Sequence, residues 1–182
     1  MKNVSCLLFV LSLVSMMILS CSKDQQSAVD EEQKREDAKN LYKKNLANVR
    51  AAIKAFEEED LEKWATYVAD TVVYVPPAYG LPWGTKQDWT NSLVYFTSDW
   101  DSIKLKNAVF LPSLDTASFE FDGSVRYYGQ WKGIHKGGKK TQINYYAYYK
   151  FNKANKITFA IEFFDVGGLT HAVAPTRLTS SR

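Results

Sequence analysis

Apolar residues fall on one helical stripe at Tyr42, Leu46, Val49, Ile53 and Phe56, in steps of four, three, four and three. Lys43, Lys44, Arg50, Glu57 and Glu58 occupy the opposite face. A second, shorter stripe (Leu61, Trp64, Ala65, Val68) follows Asp60 and stops at Asp70 and Thr71. Val72 to Val75 then has strand composition, broken by Pro76 and Pro77. Residues 78–84 form a Gly/Pro loop, and Thr85 with Asp88 is a capping-box-like start for a third helix. Trp89, Leu93, Phe96 and Trp100 follow at helical spacing. From Ser102 onward no helical stripe survives. Extended segments are expected at 103–112, 116–122, 124–132, 141–151 and 156–166, separated by turn-forming residues. Helices first and hairpins afterwards predict an α+β fold, a sheet curled round the N-terminal helices.

The start of the chain reads as an address. Lys2 precedes an apolar run from Cys6 to Leu19, too short to span a hydrocarbon core of about 30 Å but suited to a signal peptide. Ile18-Leu19-Ser20-Cys21 resembles the lipobox of bacterial lipoproteins, and Cys21-Ser22-Lys23-Asp24 resembles the export signal of surface lipoproteins in the Bacteroidetes. That resemblance implies cleavage before Cys21, lipidation of its thiol, and a membrane-anchored outer-membrane lipoprotein facing the periplasm or the cell surface. The expected organisation is a signal peptide over 1–20, a flexible tether over 21–39, a domain over 40–172 and a tail over 173–182. Eighteen extended residues reach at most about 60 Å, enough to hold the domain clear of a membrane.

Composition narrows the chemistry. Of 182 residues, 46% are apolar and 24% charged, which suits a globular domain. A net charge of +3 is too small for a nucleic-acid binder. Two histidines and two cysteines leave little for a metal site, and no cofactor is expected. Aromatic residues, at 14%, are in surplus.

Three segments carry a resemblance. Ala55 to Pro77, the Gly84-to-Trp89 passage and the closing hairpin from Tyr148 to Leu169 are similar to SnoaL-like domains of the nuclear-transport-factor-2-like superfamily. The resemblance covers roughly residues 41–170. It implies a cone-shaped, curved antiparallel sheet wrapped around N-terminal helices and open at one end into an apolar pocket. Members of that superfamily include polyketide cyclases, steroid and epoxide enzymes, and domains that only bind or associate. Relatives are often dimers through the outer sheet face, so a homodimer is expected. Such a fold does not fix function.

Strand alternation places Ile157, Phe159, Ile161, Phe163 and Asp165 on one face, taken as the inner one, with Glu162 on the other. Ile143, Tyr145, Ala147, Tyr149 and Phe151 are the inner set of the preceding strand. The pocket is expected to use Trp64, Tyr67, Tyr74, Phe96, Trp100, Tyr149 and Phe163, with Trp83 as a rim residue for a flat or sugar-like ligand. The leading expectation is a non-catalytic pocket for a small apolar or carbohydrate-like molecule. The alternative is a cofactor-independent isomerase, cyclase or lyase with Asp165 as general acid/base beside Tyr145. Asp165 also precedes Val166-Gly167-Gly168, where an aspartate commonly caps a turn. His135 sits in a basic hairpin tip and His171 in the tail, neither with a metal-binding partner nearby in sequence.

Overall fold

The computed structural model describes the backbone of residues 2–174 and the side chains of residues 27–174. The expected lipidation site, Cys21, and most of the tail lie outside the described side chains. Helix α1 runs Lys2–Glu57, α2 Leu61–Thr66 and α3 Lys86–Asp99. Strands β1 (Val68–Val75), β2 (Trp100–Leu114), β3 (Phe121–His135), β4 (Lys140–Phe151) and β5 (Ile157–Phe163) form one sheet. A last helix, α4, covers Val166–Val173.

The predicted stripe of α1 packs into the sheet, with Val49, Ala52, Ala55 and Phe56 all buried. Asn45 is buried too, and its Nδ2 donates to the Gly123 carbonyl at 2.8 Å. Gly123 has φ +77°, and a Cβ there would meet the Leu41 side chain, so glycine lets helix and strand approach. Two backbone bonds end α1, from Glu59 to Phe56 and from Asp60 to Ala55, with Glu59 itself at φ 62°. This is the Schellman arrangement with glutamate where glycine is usual. Asp60 at once caps α2, accepting from Lys63 N at 2.9 Å. The reciprocal Thr85–Asp88 capping box expected for α3 is present.

Residues 21–39, expected as a flexible tether grading into a helix, are helical throughout as part of α1. Over 31–39 the polar side chains fall into same-face partners, the ion pairs Glu31–Arg35 and Glu36–Lys39 and the hydrogen bond from Gln33 to Asp37, which support a helix that packing alone would not.

The sheet order is β1-β5-β4-β3-β2. Hairpins join β2 to β5 antiparallel, whereas β1 lies parallel to β5 at the edge, a departure from the all-antiparallel expectation. Register shifts interrupt the β2–β3 pairing after Asp101, Lys106 and Pro112, with Ser102 and Asn107 in left-handed conformations. Such bulges bend a strand and increase its twist, so the two 15-residue strands wrap round α1 rather than lie flat. Residues 116–122, expected as a strand, mostly form a turn: the Asp115 carboxylate accepts from the amides of Ala117 and Ser118. The tail after β5 is the helix α4, which the sequence pattern did not announce.

Candidate functional site

The concave side of the sheet, α1, α2 and α3 enclose a cavity of about 100 Å³. Its walls include Phe56, Trp64, Trp89, Phe96, Trp100, Trp131, Tyr127, Tyr145, Tyr149 and Phe164, and Leu169 of α4 closes one side. The rings interlock. Trp89 stacks on Tyr74 (5.3 Å, 8°) and meets Trp64 edge-on at 4.9 Å, while Tyr145 stacks on Phe164 at 5.8 Å. This is the destination of much of the aromatic surplus.

One carboxyl group lies in this apolar chamber. Glu162 of β5 is 8% exposed and lines the cavity. Tyr74 OH donates to its Oε2 at 3.0 Å and Trp89 Nε1–H to its Oε1 at 3.1 Å. Tyr145 is a third hydrogen-bonding partner, and through it the group joins Tyr127 and Tyr149. None of the ion pairs among the described residues involves Glu162. Burial pushes its pKa up, against the opposing effect of its three donors. Burial likewise raises the phenols of Tyr74, Tyr127, Tyr145 and Tyr149, each further disfavoured as an anion by the Glu162 charge.

The expected site residues divide. Trp64, Phe96, Trp100, Tyr145 and Tyr149 line the cavity. Tyr74 reaches it through Glu162, and Tyr67 packs half-buried beside the core. Three are elsewhere. Phe163 is 53% exposed on the outer face against Tyr146. Trp83 is 71% exposed, because paired backbone bonds between Tyr74 and Gly84 pinch the loop and turn it outward, toward Phe159 on the outer face. Asp165 is exposed and caps α4, accepting from Gly168 N at 2.7 Å. His135 ends β3 with its ring edge-on to Trp100 at 4.8 Å, and His171 is exposed on α4.

The strand-parity error has a definite cause. Ile157 pairs with Phe151 and Phe159 with Lys150, so β5 carries an extra residue at its start. Ile157 therefore points inward, as expected, but the following inner positions are Ala160, Glu162 and Phe164. The inner set assigned to β4 is correct: Tyr145, Ala147 and Tyr149 are buried and Ile143 lines the cavity.

Replacing Asp165 by alanine should cost about 1 kcal/mol, the usual value of a lost helix cap, and leave occupancy of the cavity unchanged. A urea melt and a ligand titration check both halves.

No family model matches the chain, and no curated protein matches it in sequence. Solved structures match it in shape. A candidate polyketide cyclase from Xanthomonas campestris pv. campestris superposes with a TM-score of 0.59 at 14% identity, over 74% of this chain and 99% of that one. An NTF2-like protein of unknown function from Burkholderia pseudomallei K96243 gives 0.57 at 18% identity, over 72% and 98%. The fold is nuclear-transport-factor-2-like. A candidate isomerase from Bacillus subtilis gives 0.55 at 15% identity, over 72% and 94%. At such identities the likeness establishes the fold, and chemistry must be argued from the cavity.

Proposed function

We propose that this chain binds a small, largely apolar molecule in the aromatic cavity, with Glu162 as its polar anchor. The observation that carries this is the carboxyl of Glu162, the one buried carboxyl among the described residues, facing an apolar chamber. Burying such a group costs stability and is expected where it serves a site. An apolar ligand fits better than the carbohydrate-like one expected from Trp83. The polar groups lining the cavity are few, and Thr141 is already engaged by Trp100 Nε1 at 2.9 Å. Titration with a one-ring hydrocarbon such as toluene, followed by tryptophan fluorescence, tests the reading. Saturable quenching is expected, and its absence would remove the proposal.

A second reading has specific support. A carboxylate offers about four acceptor positions, and Tyr74, Trp89 and Tyr145 occupy three. A proton held by Glu162 would take the remaining one. The acid/base role first expected of Asp165 therefore passes to Glu162, with Tyr145 as its neighbour. The structural relatives described as candidate cyclases and isomerases are compatible with proton transfer at carbon.

We further propose that the domain is displayed outside the cytoplasm on a lipid at Cys21. Metabolic labelling with palmitate should mark the wild-type chain and not Cys21→Ser; equal labelling of both would refute the anchor.

A further inference from the structure

We infer that the cavity selects a small organic cation, an ammonium group on a compact hydrocarbon frame, over its neutral counterpart. The inference rests on the binding role proposed above and specifies its ligand class.

Two independent features converge on a cation. The first is electrostatic. The groups facing Glu162 are Tyr74 from β1, Trp89 from α3 and Tyr145 from β4, with Tyr127 and Tyr149 behind them. All are neutral donors, and no ion pair among the described residues reaches the carboxylate. Lys132 lines the cavity but is itself exposed. An ionised Glu162 thus lacks a counter-charge that a bound ammonium would supply, through the acceptor position its donors leave open.

The second feature is the wall. Trp64, Trp89, Trp100 and Trp131 line the same chamber, together with Phe96 and Phe164. Among aromatic rings indole attracts cations most strongly, and the attraction grows when the cation is desolvated. A chamber meant only for a hydrocarbon gains nothing from a carboxylate that aliphatic side chains could replace.

Binding should also be linked to protonation. With its pKa raised by burial, Glu162 holds a proton over part of the acidic range, and an ammonium ligand must displace it. Affinity should therefore rise with pH through the Glu162 titration and fall again when the ligand amine loses its proton.

The test uses the full-length protein and three isosteric probes: benzylamine, benzyl alcohol and ethylbenzene. At pH 8 benzylamine should bind at least tenfold more tightly than the other two. Glu162→Gln should reduce that preference to less than threefold, and titration calorimetry in buffers of different ionisation enthalpy should show proton release on the acid side of the Glu162 titration, fading as the pH is raised. Equal affinity for all three probes would overturn the cation proposal while leaving the apolar-site reading intact. Failure of every probe to bind would overturn both. The wild-type probe series and the proton release decide the matter even if Glu162→Gln does not fold.

Discussion

Glu162→Gln is expected to melt at a higher temperature than the wild type at pH 8, and at the same temperature near pH 4. In the unfolded chain this carboxyl titrates near its ordinary value, about 4.3. In the folded chain burial raises its pKa, so between the two values the native state holds a proton that the unfolded state has shed. Stability is therefore fully present below the unfolded pKa and is lost as pH rises through the folded one. Glutamine does not titrate and escapes that loss. It also fits the site. Its oxygen accepts from Trp89 Nε1–H, and the Tyr74 hydroxyl can rotate to accept from its amide, replacing the bonds now made at 3.1 and 3.0 Å. In a domain of this size a gain of about 1 kcal/mol reads as about 4 °C. Thermal melts of both proteins at pH 4, 6 and 8 provide the check. A difference that does not change with pH would show that Glu162 is not the group responsible. A more stable variant that loses its ligand preference would be the usual trade of stability against a functional buried charge.

Some of this was legible in the chain and some was not, for physical reasons tied to particular residues. The α1 stripe and the Thr85–Asp88 box follow from local periodicity and capping chemistry, which tertiary context rarely overrides. Tyr145 and Tyr149 were correctly faced because β4 runs without interruption against β3. Glu162 was placed on the wrong face because one extra residue near Ile157 reverses parity, and no composition signal marks such a bulge. A hint was present: an isolated glutamate inside Ile157–Phe164 has no polar neighbour to explain it as surface. Asp165 is the acidic residue at the end of an apolar strand, yet its spacing to Gly168 matches an N-cap. Trp83 departs from the pattern for a different reason. A Gly/Pro loop can fold over a pocket or away from it, and the Tyr74–Gly84 pinch that settles the direction is a backbone pairing invisible in side-chain pattern.

The two tryptophans give the sharpest contrast, because sequence favoured Trp83 for the pocket while the cavity contains Trp89. Trp89→Ala should cost about 3–5 kcal/mol, the range for deleting a large buried aromatic. Trp89 is 2% exposed and touches Trp64, Tyr74 and Tyr149 as well as Glu162. Trp83→Ala, at a side chain 71% exposed, should stay within about 0.5 kcal/mol. The Trp89 penalty should also depend on pH. Its indole N–H is one of three donors to Glu162, and losing it strips support from the ionised carboxylate more than from the neutral acid. The loss should therefore be larger at pH 8 than at pH 4. Trp89→Phe separates the two contributions: it keeps most of the ring, recovers part of the packing, and retains the pH-dependent part of the deficit. Urea midpoints for the three variants at both pH values measure all of this. A Trp89→Phe deficit independent of pH would mean that the indole hydrogen bond does not support the Glu162 charge. Equal costs at Trp83 and Trp89 would contradict the placement of the cavity itself.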